Sequence, residues 1–132
     1  MKNSGYLKRK TPMRRSAGNK FGAVKTFAHG ILFDSKLEAF HYDVLRMMEL
    51  AGEITDLETQ KDFPLKIGDA LICTYRADYF YFDRACQEWV VSDAKGVKTE
   101  TFRIKWKMAR ILYPQHIFEL RHKYKVIREK RI

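Results

Sequence analysis

The chain is poor in everything that staples, spans or cradles. It has two cysteines, Cys73 and Cys86, in no CxxC or zinc-ligand spacing, which argues against a disulfide framework and for a reducing, intracellular setting. No apolar run approaches the roughly 18 residues of a membrane span, so no membrane partner is expected. The basic N-terminus lacks the apolar stretch of a signal peptide. Glycine-rich phosphate loops and internal repeats are missing. The four histidines, His29, His41, His116 and His122, are scattered without a nuclease or zinc pattern and read as structural or surface groups. Acidic residues are missing before Asp34, although that stretch carries Lys2, Lys8, Arg9, Lys10, Arg14, Arg15, Lys20 and Lys25.

What remains is a basic chain of 132 residues with a net charge of +10, a length that suits one domain. Hydrophobic residues are 45% of it, enough for a core. A second basic cluster closes the chain: Arg121, Lys123, Lys125, Arg128, Lys130 and Arg131 against Glu129. Most carboxylates lie between 34 and 100. Basic ends around an acidic centre suit a polyanion held about a metal site. The plainer alternative is a solubilising basic tail. Residues 1–20 read as a flexible basic arm and 21–132 as a single domain.

Along the domain, 24–33 predicts a hairpin turning at His29-Gly30. Asp34-Ser35 then caps a helix whose apolar stripe is Leu37, Phe40, Val44, Met47, Met48 and Ala51, with Gly52 as its stop. Residues 54–57 and 60–67 look extended, with Pro64 at a sheet edge or bulge. After the Gly68-Asp69 turn, 75–82 and 88–95 read as two strands joined by a loop at 83–87. Thr99 or Thr101 caps a second helix bearing Phe102, Trp106, Ala109, Leu112 and Tyr113 on one stripe, and Pro114 ends it. Residues 116–120 predict a strand, and 124–127 another. The expected class is α+β, a sheet flanked by helices.

Chemistry concentrates on the two central strands. Asp93 and Lys95, two apart, share one face of a strand, and Asp78 joins them if the strands pair. Two hard oxygen ligands suit Mg²⁺ or Mn²⁺, and an ammonium beside the ion suits metal-assisted phosphodiester hydrolysis. Asp93-x-Lys95 also fits an ordinary same-face ion pair. Glu38 on the first helix is a third acid, but Ser35-Lys36-Leu37-Glu38 equally fits a capping box. The aromatic run Tyr79, Phe80, Tyr81 and Phe82 reads as core rather than as a base-stacking platform. Lys105 and Lys107, beside Trp106, are candidate phosphate contacts, as is Lys98 after the second strand. Asp43, Glu49, Glu53, Asp56 and Glu58 read as a solvated face.

In order, Glu38, Asp78 and Asp93-x-Lys95 followed by a basic helix resemble the PD-(D/E)XK nuclease superfamily. The likeness extends to its small phage- and prophage-encoded members through Phe33-Asp34-Ser35-Lys36-Leu37-Glu38-Ala39, Ala51-Gly52-Glu53-Ile54, Gln60, Phe63-Pro64-Leu65, Ala77-Asp78-Tyr79 and Asp93-Ala94-Lys95-Gly96. It covers residues 20–115. It implies a restriction-endonuclease-like αβββαβ core with a mixed sheet flanked by helices, and a Mg²⁺-dependent endonuclease in which Mn²⁺ substitutes. Asp78 and Asp93, with the Ala94 carbonyl, would ligate the metal. Glu38 would be a further ligand or a water-orienting acid, Lys95 would position or activate the nucleophile, and Gln60 would support the site. Ala77 stands where the superfamily motif has proline, and Asp93 where glutamate is the other choice. By the same analogy the substrate would be DNA, branched forms such as the four-way junction first, cut by a homodimer in a host cytoplasm. Nicking or double-strand cleavage without junction preference is the nearest alternative. A non-catalytic nucleic-acid-binding protein is the other.

Overall fold

The computed structural model describes residues 24–132. The arm at 1–20, with the expected phosphate contacts Lys8, Arg9, Lys10, Arg14, Arg15 and Lys20, lies outside the described residues. A small hairpin opens the described chain, β1 (Thr26–Ala28) and β2 (Ile31–Phe33). His29 and Gly30 form its turn with φ of 53° and 76°, the two positive angles that match the twist of flanking strands. Then come α1 (Lys36–Leu50), β3 (Ile54–Ile67), β4 (Ala70–Asp83), β5 (Glu88–Ala94), α2 (Glu100–Leu112), β6 (Ile117–Arg121) and β7 (Val126–Arg128). The class is α+β, as expected.

Both helices start where a side-chain oxygen meets an orphan amide. Ser35 Oγ accepts from the Glu38 amide at 3.1 Å, and Thr99 Oγ1 accepts from the Phe102 amide at 3.1 Å. Gly52, at φ 80°, takes the left-handed position after α1. Phe102, Trp106 and Ala109 are the buried face of α2, as the stripe predicts, although Leu112 stays exposed. The stripe predicted for α1 holds at Leu37 and Met48, which pack against the core, and is corrected elsewhere. Its buried residues are Glu38, Ala39, His41 and Leu45, whereas Phe40 is 53% and Met47 71% exposed. Apolar residues occur nearly all round this helix, so periodicity alone does not choose a face. Polar anchors choose it. Tyr79 donates its hydroxyl hydrogen to the Glu38 carbonyl, and His41 Nε2 donates to the His122 carbonyl at 2.9 Å.

The larger sheet has five strands in the order β3-β4-β5-β6-β7. β5 and β6 are parallel, joined by α2 as the crossover, and the other pairs are antiparallel, so the sheet is mixed. Each face carries a core. Phe63, Leu65, Tyr75, Ala77, Phe80 and Val91 pack with Phe102, Trp106 and Ala109 of α2. Ile54, Tyr79, Tyr81, Val90 and Ala94 pack with Leu45 of α1. The tyrosine-rich run is therefore core, as expected. Pro64 sits on the edge strand β3, where a missing amide breaks no inner ladder.

One irregularity in this sheet positions the site. Along a regular strand, residues two apart share a face. In β4, Tyr75 and Ala77 belong to the α2-side core, yet Tyr79 and Tyr81 belong to the α1 side. The change falls at Asp78. Across from it, between the pairs Lys61↔Ala77 and Thr59↔Tyr79, stands Gln60 with φ of 56°. Both strands turn over at one point, and that point bears an acid and an amide. The α1 face also buries a charged network. Glu119 Oε2 accepts from Arg121 Nε at 3.0 Å and from Ser92 Oγ at 2.9 Å, and Glu119 Oε1 accepts from Arg128 Nε at 3.1 Å.

The corrected helix face has a mechanical consequence. Leu45→Ala, at a side chain with 0% exposure, should lower unfolding free energy by about 2–5 kcal/mol through transfer and cavity terms. Phe40→Ala should cost about 1 kcal/mol or less. Urea denaturation of both variants checks this, and the reverse ranking would restore the predicted stripe.

Candidate active site

The face change brings acids together. β4 and β5 pair in a register that contains Tyr79↔Ser92, so one step further along Asp78 lies across from Asp93. Asp78 Oδ2 accepts from the Ala94 amide at 2.9 Å. The Asp78 and Asp93 carboxyls are near enough for the charge of Asp93 to disfavour ionisation of Asp78. Asp93 is 1% exposed. Its Oδ2 accepts from the buried Tyr75 hydroxyl. Its Oδ1 is fully buried and receives no hydrogen bond, although Lys95 Nζ lies 3.3 Å away. That contact is an ion pair without directed donation. Lys95 also lies over the Phe102 ring, 4.7 Å from its centroid, so its stem and charge are both held.

Glu38 faces this group from α1. Only half of a capping box is built. The Ser35 hydroxyl bonds the Glu38 amide, but the Glu38 carboxylate accepts from Gln60 Nε2 at 2.9 Å. Gln60 thus joins the helix to the turned-over point of β3. The sequence-predicted residues Glu38, Gln60, Asp78, Asp93, Ala94 and Lys95 are gathered at one region. Lys98, Lys105 and Lys107 lie beyond it. Lys105 Nζ donates to the Thr74 carbonyl at 3.0 Å, while Lys98 and Lys107 are exposed.

Electrostatics follow from crowding like charges away from water. Burial, then the charges of Asp93 and Glu38, hold the Asp78 carboxyl well above the usual carboxylate range. Burial pushes Glu38 up to about 7, with Asp34 and Asp93 adding to the push and Lys95 partly offsetting it. Burial works against the charge on Lys95, but Asp93, Asp78 and Glu38 outweigh it and keep the ammonium protonated above its ordinary range. Burial and the Asp93 charge raise the Tyr75 phenol well above normal, so it remains an O–H donor.

Among the described residues no three His, Cys, Asp or Glu side chains form a ready ligand cage. The donor set is instead a pair of aspartates with a glutamate at its margin. That set fits Mg²⁺, which binds through one or two carboxylates and keeps waters for the remaining positions. Asp93 Oδ1, buried and without a hydrogen bond beside its ion pair with Lys95, supplies the independent sign of fit, since buried carboxylate oxygens are normally hydrogen-bonded.

Two features escaped sequence reasoning. Tyr75 carries no local signal, because its partner is 18 positions away on another strand. The Glu119–Arg121 pair had one, being two apart on a strand like Asp93 and Lys95.

The crowding sets a pH dependence for the metal-free protein. Glu38 rises from 4.5 to about 7 on folding, so its contribution to stability is full below 4.5 and is lost as pH climbs through 7; Asp78 acts in the same direction. Denaturation midpoints should fall across that window, Glu38→Gln should flatten the fall, and Mg²⁺ should reduce it by binding the folded state. An identical profile for Glu38→Gln would remove Glu38 from the charged group.

Among the described residues no helix is long and apolar enough to cross a membrane. No curated protein and no solved structure matches the chain. Residues 18–128 match the family described as a protein of unknown function, DUF1064, and that match takes in every residue of the acidic group. The chain belongs to the DUF1064 family.

Proposed function

We propose that the protein is a Mg²⁺-dependent endodeoxyribonuclease of the PD-(D/E)XK kind. The observation that carries this reading is the pairing of half-buried Asp78 with fully buried Asp93, with Lys95 Nζ 3.3 Å from an Asp93 Oδ1 that receives no hydrogen bond. The element order α1-β3-β4-β5-α2-β6, with a parallel β5–β6 pair, supports the αβββαβ core that this reading requires.

Asp78 and Asp93 would hold the ion, with the Ala94 backbone beside them and Glu38 as a third oxygen donor or water-orienting group. When bound, Mg²⁺ (or Mn²⁺ in its place) neutralises charge on the scissile phosphate and lowers the pKa of a water. Lys95, kept as an ammonium, orients the attacking water or a phosphate oxygen. Glu38, whose carboxyl is raised by burial and neighbouring acids in the metal-free protein, is placed to take a proton from the attacking water, and Gln60 fixes its orientation. DNA is the substrate class favoured by the +10 charge. Branched DNA, the four-way junction first, is the preferred form within it. A homodimer would present two sites to opposed strands. Lys98 and Lys107, free at the surface, are the proposed phosphate contacts of the described residues, with Lys105 beside them.

Incubation with a four-way junction, a flap, a linear duplex and supercoiled plasmid tests the reading. Cleavage with Mg²⁺ and none with EDTA is expected, fastest on the junction. Asp93→Asn should abolish it, and Lys95→Ala should slow it by about 10²-fold or more, while gel-shift binding persists. Binding with no cleavage under Mg²⁺ or Mn²⁺ would make the chain a non-catalytic DNA-binding protein. Deleting residues 1–20 should weaken binding and flatten its salt dependence. An unchanged slope would remove the arm from the phosphate contacts.

A further inference from the structure

Tyr75 divides the two oxygens of Asp93 between different tasks. Its ring is clamped in the α2-side core, 5.8 Å from Trp106 and 6.4 Å from both Phe63 and Phe102 by centroid distance. That packing aims its hydroxyl at Asp93 Oδ2 and leaves Oδ1 with no hydrogen bond. An ionised aspartate can present one oxygen or both to a cation. Mg²⁺ keeps a small octahedral shell and takes carboxylates through single oxygens, whereas Ca²⁺, larger and with up to eight ligands, readily takes both. A cation that claimed Oδ2 as well would have to displace the tyrosine hydrogen and strand a buried hydroxyl without a partner, which is unfavourable.

We propose that Tyr75 is a positioning residue that confines Asp93 to single-oxygen ligation through Oδ1 and thereby favours Mg²⁺ and Mn²⁺ over Ca²⁺. The inference rests on the metal site proposed above. It assigns the tyrosine a role in metal choice that core packing alone would not give it.

Metal binding, rather than cleavage, is the readout. The metal-free full-length protein is loaded with Mn²⁺, and displacement by Mg²⁺ and by Ca²⁺ is followed in the Mn²⁺ electron paramagnetic resonance spectrum. Tyr75→Phe keeps the ring and removes only the hydroxyl, and thermal unfolding confirms that it folds. Its Mg²⁺ affinity should fall about tenfold, as for loss of a carboxylate's outer hydrogen-bond partner, with Ca²⁺ affinity held or raised. The preference for Mg²⁺ over Ca²⁺ should shrink accordingly. Tyr113→Phe, in the same core but with its hydroxyl on the Pro64 carbonyl, is the control and should leave the preference unchanged. A folded Tyr75→Phe protein with the wild-type ratio would reduce Tyr75 to core filler and leave the nuclease reading intact. Wild-type protein that binds no Mn²⁺ would overturn both.

Discussion

Two carboxylates held side by side, Asp93 fully buried and Asp78 half-buried, form the constraint around which this fold is arranged. Alone, Asp78 and Asp93 would repel each other and their own desolvation would favour the neutral forms. Each is instead given a donor that does not move. The Ala94 amide serves Asp78 from the neighbouring strand, and Tyr75 serves Asp93 from the core. Lys95 adds a charge of the opposite sign, pinned over Phe102. These donors work only because β4 and β5 are inner strands of the sheet, covered on both faces.

The same constraint explains the oddest stretch of backbone. A regular β4 would keep Tyr75, Ala77, Tyr79 and Tyr81 on one face. Turning the chain over at Asp78 splits them between two cores and leaves the acid at the point of reversal. Gln60 makes the matching turn on β3 in a left-handed conformation that glutamine rarely adopts, at a cost of order 1–3 kcal/mol that surrounding structure must offset. Its side chain reaches Glu38, so the irregularity also ties α1 to the acidic group. Tyr79 reinforces that tie by donating to the Glu38 carbonyl. Helix, edge strand and central strand therefore meet at one residue each.

Much of this was legible in the chain. Glycines 30, 52 and 68, Pro114 and the caps Ser35 and Thr99 mark element ends through local backbone chemistry, which needs no tertiary context. Asp93 and Lys95 could be paired by strand periodicity, and Asp78 by one antiparallel register. Glu38 was ambiguous because Ser-x-x-Glu spacing fits both a cap and a catalytic acid. Only the distance to Gln60 separates the two. The face of α1 is legible only at Leu37 and Met48, because Phe40 and Met47 are as apolar as Leu45, and the choice between them is made by Tyr79 and by the His122 carbonyl, both far away in sequence. Tyr75 is hidden for the same reason, since its role arises from packing between strands, whereas the i,i+2 spacing of Glu119 and Arg121 is a local signal.

The surroundings of Lys95 also divide the labour within the proposed reaction. A lysine that served as a general base would need its pKa lowered toward neutrality, by burial in apolar surroundings or by a nearby cation. Here three carboxylates face it, and their field outweighs its burial. The ammonium is thus stabilised as a donor and as a counter-charge. Glu38 is raised as well, to about 7 in the metal-free protein, by burial and by the charges of Asp34 and Asp93, so its charged form is disfavoured where that of Lys95 is favoured. One group is held in its charged form and the other is eased toward its neutral form, which suits them to different roles in the proposed reaction. In the proposed reaction, orientation and charge balance would fall to Lys95 and proton transfer to Glu38.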